Sequence, residues 1–218
     1  KIKRNDMNKE FDRKQGIGGS DATRLYEGDW YQLWEEKLGK SEYPDLSDVL
    51  PVQMGIHTEP FNIQWFEKQT GLEVHGKQET FFHEKYKFMY AHVDGLIMPD
   101  KEDLKSKTDL GVSILECKHT NAFSNPKKVT DKYKAQLQHY LMCVKSKRIY
   151  LSVFFGNLKH EIMEITEDKE FQDKLENAEI LFWHFVTTKK APPDYISFDN
   201  FNEKEFNEGR TVIPVVAR

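Results

Sequence analysis

A chain of 218 residues, 38% hydrophobic and 31% charged, is long enough to bury a sizeable core unaided, and the charged share argues against a membrane class. Two cysteines, Cys117 and Cys143, are too few for a disulfide framework, a cysteine-rich zinc site or an iron–sulfur cluster, and they suit a reducing, cytoplasmic setting. The net charge of −4 decides nothing about polyanionic partners, because a basic channel and a carboxylate cluster can offset each other in one molecule. No apolar run reaches the length of a bilayer span, and Lys1-Ile2-Lys3-Arg4 leads into no signal-peptide stretch, so a soluble protein with no membrane partner is expected.

After a charged opening, Gly16-Ile17-Gly18-Gly19-Ser20-Asp21 is a glycine turn that delivers the chain into a helix, with Ser20 or Asp21 as its cap. A second helix is predicted over 30–38, ending near Gly39. Residues 41–51 read as a loop. A helix from about Val52 carries Phe61, Trp65 and Phe66, with Gly71 just past its end. Three strand-like runs follow at 73–83, 88–98 and 112–118, with 100–109 as an exposed hairpin loop between the last two. Residues 127–145 place Leu137, Leu141 and Val144 at helical spacing. Strands over 148–155 and 160–165 pair across Gly156-Asn157, and 168–188 form a long amphipathic helix that stops before Pro192-Pro193. The tail, 195–218, has no predicted place. This order predicts an α/β fold, a mixed sheet flanked by helices, in a single domain over 1–218 with its core at about 13–190.

Three acids and a lysine carry the chemistry. In the strand-like run that ends Leu115-Glu116-Cys117-Lys118, side chains alternate, so Glu116 and Lys118 share one face and Cys117 points to the other. A carboxylate and a lysine at the end of a buried strand are costly unless paired or used. Asp94 interrupts the apolar run Ala91-His92-Val93-Asp94-Gly95-Leu96, where an acid needs a metal or a partner. On neighbouring strands, Asp94 and Glu116 suit a hard divalent cation such as Mg2+, which takes one or two carboxylates plus water and phosphate oxygens. The backbone carbonyl of Cys117 offers a further oxygen. Lys118 beside a bound water completes the parts for metal-assisted phosphodiester hydrolysis. Read alone, the triple is a weak signal, and in so charged a chain a chance arrangement or a plain Glu116–Lys118 ion pair is the commoner reading. Gln136 and Tyr140 share a helix face with Tyr133, and alone that face reads as solvated with its tyrosines partly packed. Glu59 alone reads as a surface acid.

Five segments together change the weighting: 16–22, Met54-Gly55-Ile56-His57-Thr58-Glu59-Pro60, 93–96, 115–118, and Tyr133-Lys134-Ala135-Gln136-Leu137-Gln138-His139-Tyr140. In order and spacing they resemble the lambda exonuclease and YqaJ-type viral recombinase family of PD-(D/E)XK nucleases, from about Arg13 to Tyr140. The resemblance implies a restriction-endonuclease-like core and a Mg2+-dependent 5′→3′ exonuclease. Such an enzyme digests double-stranded DNA from an end to mononucleotides and leaves a 3′ single strand for recombination. It also implies a ring-shaped homotrimer, a single-strand annealing protein as partner, and a phage or prophage origin. Two metal ions are implied, with Mn2+ as a substitute, held by Asp94, Glu116 and the Cys117 carbonyl, and by Glu59 directly or through water. Lys118 matches the catalytic lysine, and Gln136 the glutamine that positions the lysine or the nucleophilic water, with Tyr140 completing that pattern. Arg13 and Ser20 match residues that hold the terminal 5′ phosphate, where a glycine turn entering a helix also presents free N–H groups. Tyr133, Tyr140 and His92 join them on the DNA side.

The sequence departs from the family in places. Val93 replaces the usual proline, His92 stands where lambda exonuclease has serine, and Ser124 stands where a basic residue is usual, with Lys127 and Lys128 nearby. His92 is either a phosphate contact or a strand histidine with a satisfied ring. The rival readings are a RecB-like repair nuclease of other polarity and a catalytically silent DNA-binding module on the same core. The glycine turn speaks against the first, and the intact Asp94, Glu116 and Lys118 against the second. No P-loop or Rossmann fingerprint points to a small-molecule enzyme.

Overall fold

A computed structural model describes residues 12–99 and 111–212. After a 3-10 turn (Arg13–Gln15) come three helices: α1 (Gly19–Tyr26), α2 (Trp30–Lys37) and α3 (Leu50–Thr70). Strands β1 (Val74–His75), β2 (Glu79–Phe82), β3 (Tyr90–Val93), β4 (Gly95–Ile97) and β5 (Ser113–Thr120) follow. Then come α4 (Pro126–Val144), β6 (Arg148–Phe155), β7 (Lys159–Thr166), α5 (Lys169–Thr188) and α6 (Glu203–Val212).

The main sheet has the order β1-β4-β5-β6-β7, with β5 and β6 parallel and the other neighbours antiparallel. This is the expected mixed sheet flanked by helices. Alternation along β5 sorts the two layers. Leu115 and Cys117 pack with Ile63 and Phe66 of α3 on one face. Ile114 faces the larger core that β6, α1, α4 and α5 build around Leu137, Leu151, Val153 and Phe182.

Both long strand-like runs before residue 100 are divided. The first breaks between β1 and β2, where Gly76 (φ +53°) and Gln78 (φ +60°) take left-handed backbone. The second breaks at Asp94: β3 pairs with β2 in a separate two-stranded sheet, while β4 joins β5. The expected loop at 100–109 lies outside the described residues. α3 begins at Leu50, earlier than Val52, because a proline such as Pro51 fits the first helical turn, where no N–H partner is needed. Gly71 (φ +74°) ends that helix and Gly156 (φ +56°) turns β6 into β7, both as expected. The helix α1 starts at Gly19 with Gly18 as its cap, so neither Ser20 nor Asp21 is the cap residue. Asp21 instead reaches back from the first turn, its Oδ2 accepting the Gly18 N–H at 2.9 Å.

The tail has a place after all. Ile196 and Phe198 are buried, and Phe198 packs edge-on to Tyr26 and tilted against Phe171, with ring centroids 5.1 and 5.5 Å apart. α6 lies on α5, Gly209 coming against Leu181 and His184.

His83, beside α5, gives the fold a pH dependence. The Tyr86 N–H donates to its Nδ1 (3.1 Å), and its Nε2 lies 3.5 Å from Glu176. Burial, then the nearby His139 and Lys87, pushes its pKa from 6.5 down to about 4. The unfolded chain takes this proton near 6.5, the folded chain only near 4, so the His83 contribution is complete above pH 6.5 and lost as pH falls toward 4. Urea midpoints should fall between pH 7 and pH 4.5. His83→Gln, which keeps an acceptor for Tyr86, should shrink that fall.

Candidate active site

β5 is longer than β4, and the site occupies the difference. Their last paired residues are Gly95 and Leu115, so from Glu116 onward this edge of β5 has no β4 residue beside it. Asp94, just before β4, turns into the gap, and its Oδ2 accepts the Cys117 N–H at 2.7 Å. In an extended strand the carbonyl of a residue opens to the same side as its N–H, so the Cys117 oxygen faces the side on which Asp94 lies.

On the α4 face, Glu116 is 2% exposed. Its Oε1 accepts from Lys118 Nζ (2.6 Å) and from Gln136 Nε2 (3.0 Å). Its Oε2 is buried with no hydrogen-bond partner among the described residues. Burial and then the Asp94 charge raise the Glu116 pKa to about 8, and burial raises Asp94 as well. For Lys118 burial opposes the charge, but Glu116 and Asp94 together outweigh it and its pKa is raised. Lys118 is therefore a cation at neutral pH, with its Nζ 4.7 Å from the centre of the Tyr133 ring.

Gln136 also donates to the Tyr140 hydroxyl (3.1 Å). The α4 face expected to be solvated is thus turned inward: Gln136 and Tyr140 are 9% and 6% exposed. Glu59 on α3 is half-buried; burial, then Asp94, lifts its pKa to about 6. Behind β5, Asn62 of α3 donates to the carbonyls of Lys118 (3.3 Å) and Ser152 (3.0 Å). That bond fixes the backbone under Lys118. Asn62 escaped notice because a lone amide on a helix carries no motif.

The glycine turn meets the same helix. A Cβ at Gly19 would lie 2.5 Å from a Tyr140 ring carbon and 2.7 Å from Gln136 Cγ, so only glycine lets α1 approach α4 this closely. Gly19→Ala should cost about 1–3 kcal/mol, the usual penalty of overpacking, and should lower activity by displacing Gln136. Denaturant titration and rate measurement on one preparation check both effects. Beside this turn Arg13 donates to the Ser20 hydroxyl (3.2 Å) and stacks on Tyr43 at 4.6 Å. A fully buried pair not anticipated from sequence, Lys37 with Asp21 (2.7 Å), anchors the segment, Lys37 also donating to the Arg13 carbonyl at 2.7 Å. His92 is exposed, and Thr80 (3.0 Å) and Gln78 (2.6 Å) occupy its two ring nitrogens.

The donor set fits a hard cation. Two buried acids with raised pKa values and a carboxylate oxygen without a hydrogen-bond partner among the described residues form a place where positive charge is wanted. Among the described residues no three His, Cys, Asp or Glu side chains form a ready-made cage. No described helix is long and apolar enough to cross a membrane.

The chain is similar to known proteins in sequence and in fold. The chain is 30% identical over 184 residues to the uncharacterised protein YqaJ of Bacillus subtilis (strain 168), covering 80% of this chain and 54% of that protein. It thus spans about half the length of that curated relative. The crystal structure of LHK-Exo in complex with dAMP superposes with a TM-score of 0.64 at 15% identity, over 81% of this chain and 90% of the other. LHK-Exo is an alkaline exonuclease from Laribacter hongkongensis. A phage-related exonuclease from Haemophilus somnus 129PT gives 0.57 at 12% identity, over 80% and 96% of the two chains. These structures share the fold. Residues 10–147, well over half of the chain, match the YqaJ-like viral recombinase domain, and the chain belongs to that family.

Proposed function

We propose that this chain is a Mg2+-dependent exonuclease that digests double-stranded DNA from an end, 5′→3′, to mononucleotides and a 3′ single strand for phage-type recombination. The observation that carries the reading is the meeting of Asp94, Glu116, Lys118 and Gln136 at the open edge of β5. Asp94, Glu116 and the Cys117 carbonyl would hold one cation, and Glu59 would complete a second site, with Mn2+ as a substitute. A bound metal supplies Lewis acidity and a more acidic water.

The side chains do the rest. Lys118, held by Glu116 and lying over Tyr133, directs a charged donor at the water or at a phosphate oxygen. Gln136 fixes Glu116, and Tyr140, being buried, serves DNA only through Gln136. Arg13, Ser20 and the free N–H groups that open α1 receive the terminal 5′ phosphate. His92 and Tyr133 offer polar edges to the DNA. A homotrimeric ring, a single-strand annealing partner and a phage or prophage gene acting in the bacterial cytoplasm belong to the same reading.

The test is a linear duplex labelled at its 5′ or its 3′ ends. Early release of the 5′ label as mononucleotide supports the polarity, and early loss of the 3′ label contradicts it. In the same assay Arg13→Ala should reduce the preference for 5′-phosphorylated over 5′-hydroxyl ends about tenfold, the worth of one charge-assisted hydrogen bond. A parent protein indifferent to the end group would remove that role.

A further inference from the structure

We propose that Gln78, in the turn between β1 and β2, is a positioning residue that ties Glu59 to the paired strands β2 and β3 and shapes the metal site that Glu59 borders. The inference rests on the reading of Glu59, Asp94 and Glu116 as cation-holding acids. Gln78 Nε2 donates to Glu59 Oε1. One amide therefore links an acid carried by α3 to the turn that leads into β2.

The orientation of that amide follows from chemistry. An ionised carboxylate only accepts, so the amide nitrogen must face Glu59 and the amide oxygen must face His92 Nε2, 2.6 Å away. That oxygen needs a donor, so His92 carries its proton on Nε2, and its Nδ1 accepts from the Thr80 hydroxyl at 3.0 Å. A directed chain results, Thr80 to His92 to Gln78 to Glu59, anchored in the paired strands β2 and β3, where Thr80 lies opposite His92. This use of His92 explains why its ring is satisfied although it is exposed.

The backbone supports a special role. Gln78 sits at φ +60°, a left-handed conformation that a residue with a side chain adopts at a cost and that glycine adopts freely. Lys145 and Lys189 share this backbone as helix C-caps; at Gln78 it accompanies a side-chain amide that is hydrogen-bonded at both its nitrogen and its oxygen.

The same strain supplies the test. Gln78→Gly removes the amide and suits the turn, so the variant keeps its fold. Calorimetric titration with Mn2+ alone, on parent and variant without DNA, reads the site directly. Partners of metal ligands typically govern affinity by about 10- to 100-fold, so the variant should bind Mn2+ at least tenfold more weakly at an unchanged unfolding midpoint or a higher one. Equal Mn2+ affinity in the two proteins would make Gln78 a turn residue only, and tighter binding in the variant would make its amide a competitor of the cation; either overturns the inference. A parent that binds no Mn2+ would instead overturn the reading of the acids beneath it.

Discussion

Lys118→Ala lowers cleavage of duplex DNA about 10²- to 10³-fold, close to 3–4 kcal/mol of transition-state stabilisation, and leaves duplex binding nearly unchanged. The expectation comes from the geometry of β5. Lys118 Nζ is held 2.6 Å from Glu116, is kept charged by Glu116 and Asp94 against its burial, and lies over the Tyr133 ring. It is a fixed donor at the place where phosphate charge would develop. Alanine leaves Asp94, Glu59 and the Gln136 contact to Glu116 in place. Single-turnover cleavage and a gel-shift titration separate the two effects. Cleavage within tenfold of the parent would show that Lys118 is only the ion-pair partner of Glu116.

Glu116→Gln produces the second large effect, and it has two signs. Cleavage falls at least 10³-fold, because one of the two buried carboxylates that fit a cation is neutralised. The metal-free fold, in contrast, becomes more stable at alkaline pH. The folded state holds the Glu116 proton more tightly than the unfolded chain does, so the parent loses stability as pH rises through about 8. Glutamine has no such charge, and its amide oxygen still accepts from Lys118. Urea midpoints in EDTA at pH 6.5 and pH 9 should show a smaller decline for the variant. Added Mg2+ should raise the midpoint of the parent, as any ligand of the folded state does, and leave that of the variant where it was. A variant that Mg2+ stabilises as much as the parent would remove Glu116 from the metal site.

Much of this site was legible in the sequence because its central part obeys a strand period. Glu116, Cys117 and Lys118 alternate as a two-residue repeat requires, and the structure places them so, with Cys117 toward α3 and the charged pair toward α4. Asp94 was legible as an acid in an apolar run. The break of that run into two sheets was not, because each half is apolar enough for a strand and the signal of the break is Asp94 itself, which leaves the ladder to accept the Cys117 N–H. Gln78 was hidden inside a run read as one strand. Gly76, two residues earlier, was the available signal of a turn. The burial of Gln136 and Tyr140 was missed because helical spacing identifies shared faces, not which of two faces turns inward. α4 is covered on more than one side, by α1 as well as by the sheet. The tail was illegible for a different reason. Its anchors, Ile196 and Phe198, are isolated apolar residues in polar surroundings, and Phe198 takes its place from partners distant in sequence, the rings of Tyr26 and Phe171.

Metal-dependent hydrolysis of DNA ends is tested most directly by one digestion. A linear duplex and a closed circular duplex are incubated with the protein in Mg2+ and, separately, in EDTA. Degradation of the linear DNA in Mg2+ alone, with the circle intact, is the predicted result. A linear duplex untouched with either Mg2+ or Mn2+ would contradict the account and leave a DNA-binding module on this fold, while cutting of the circle would make the protein an endonuclease.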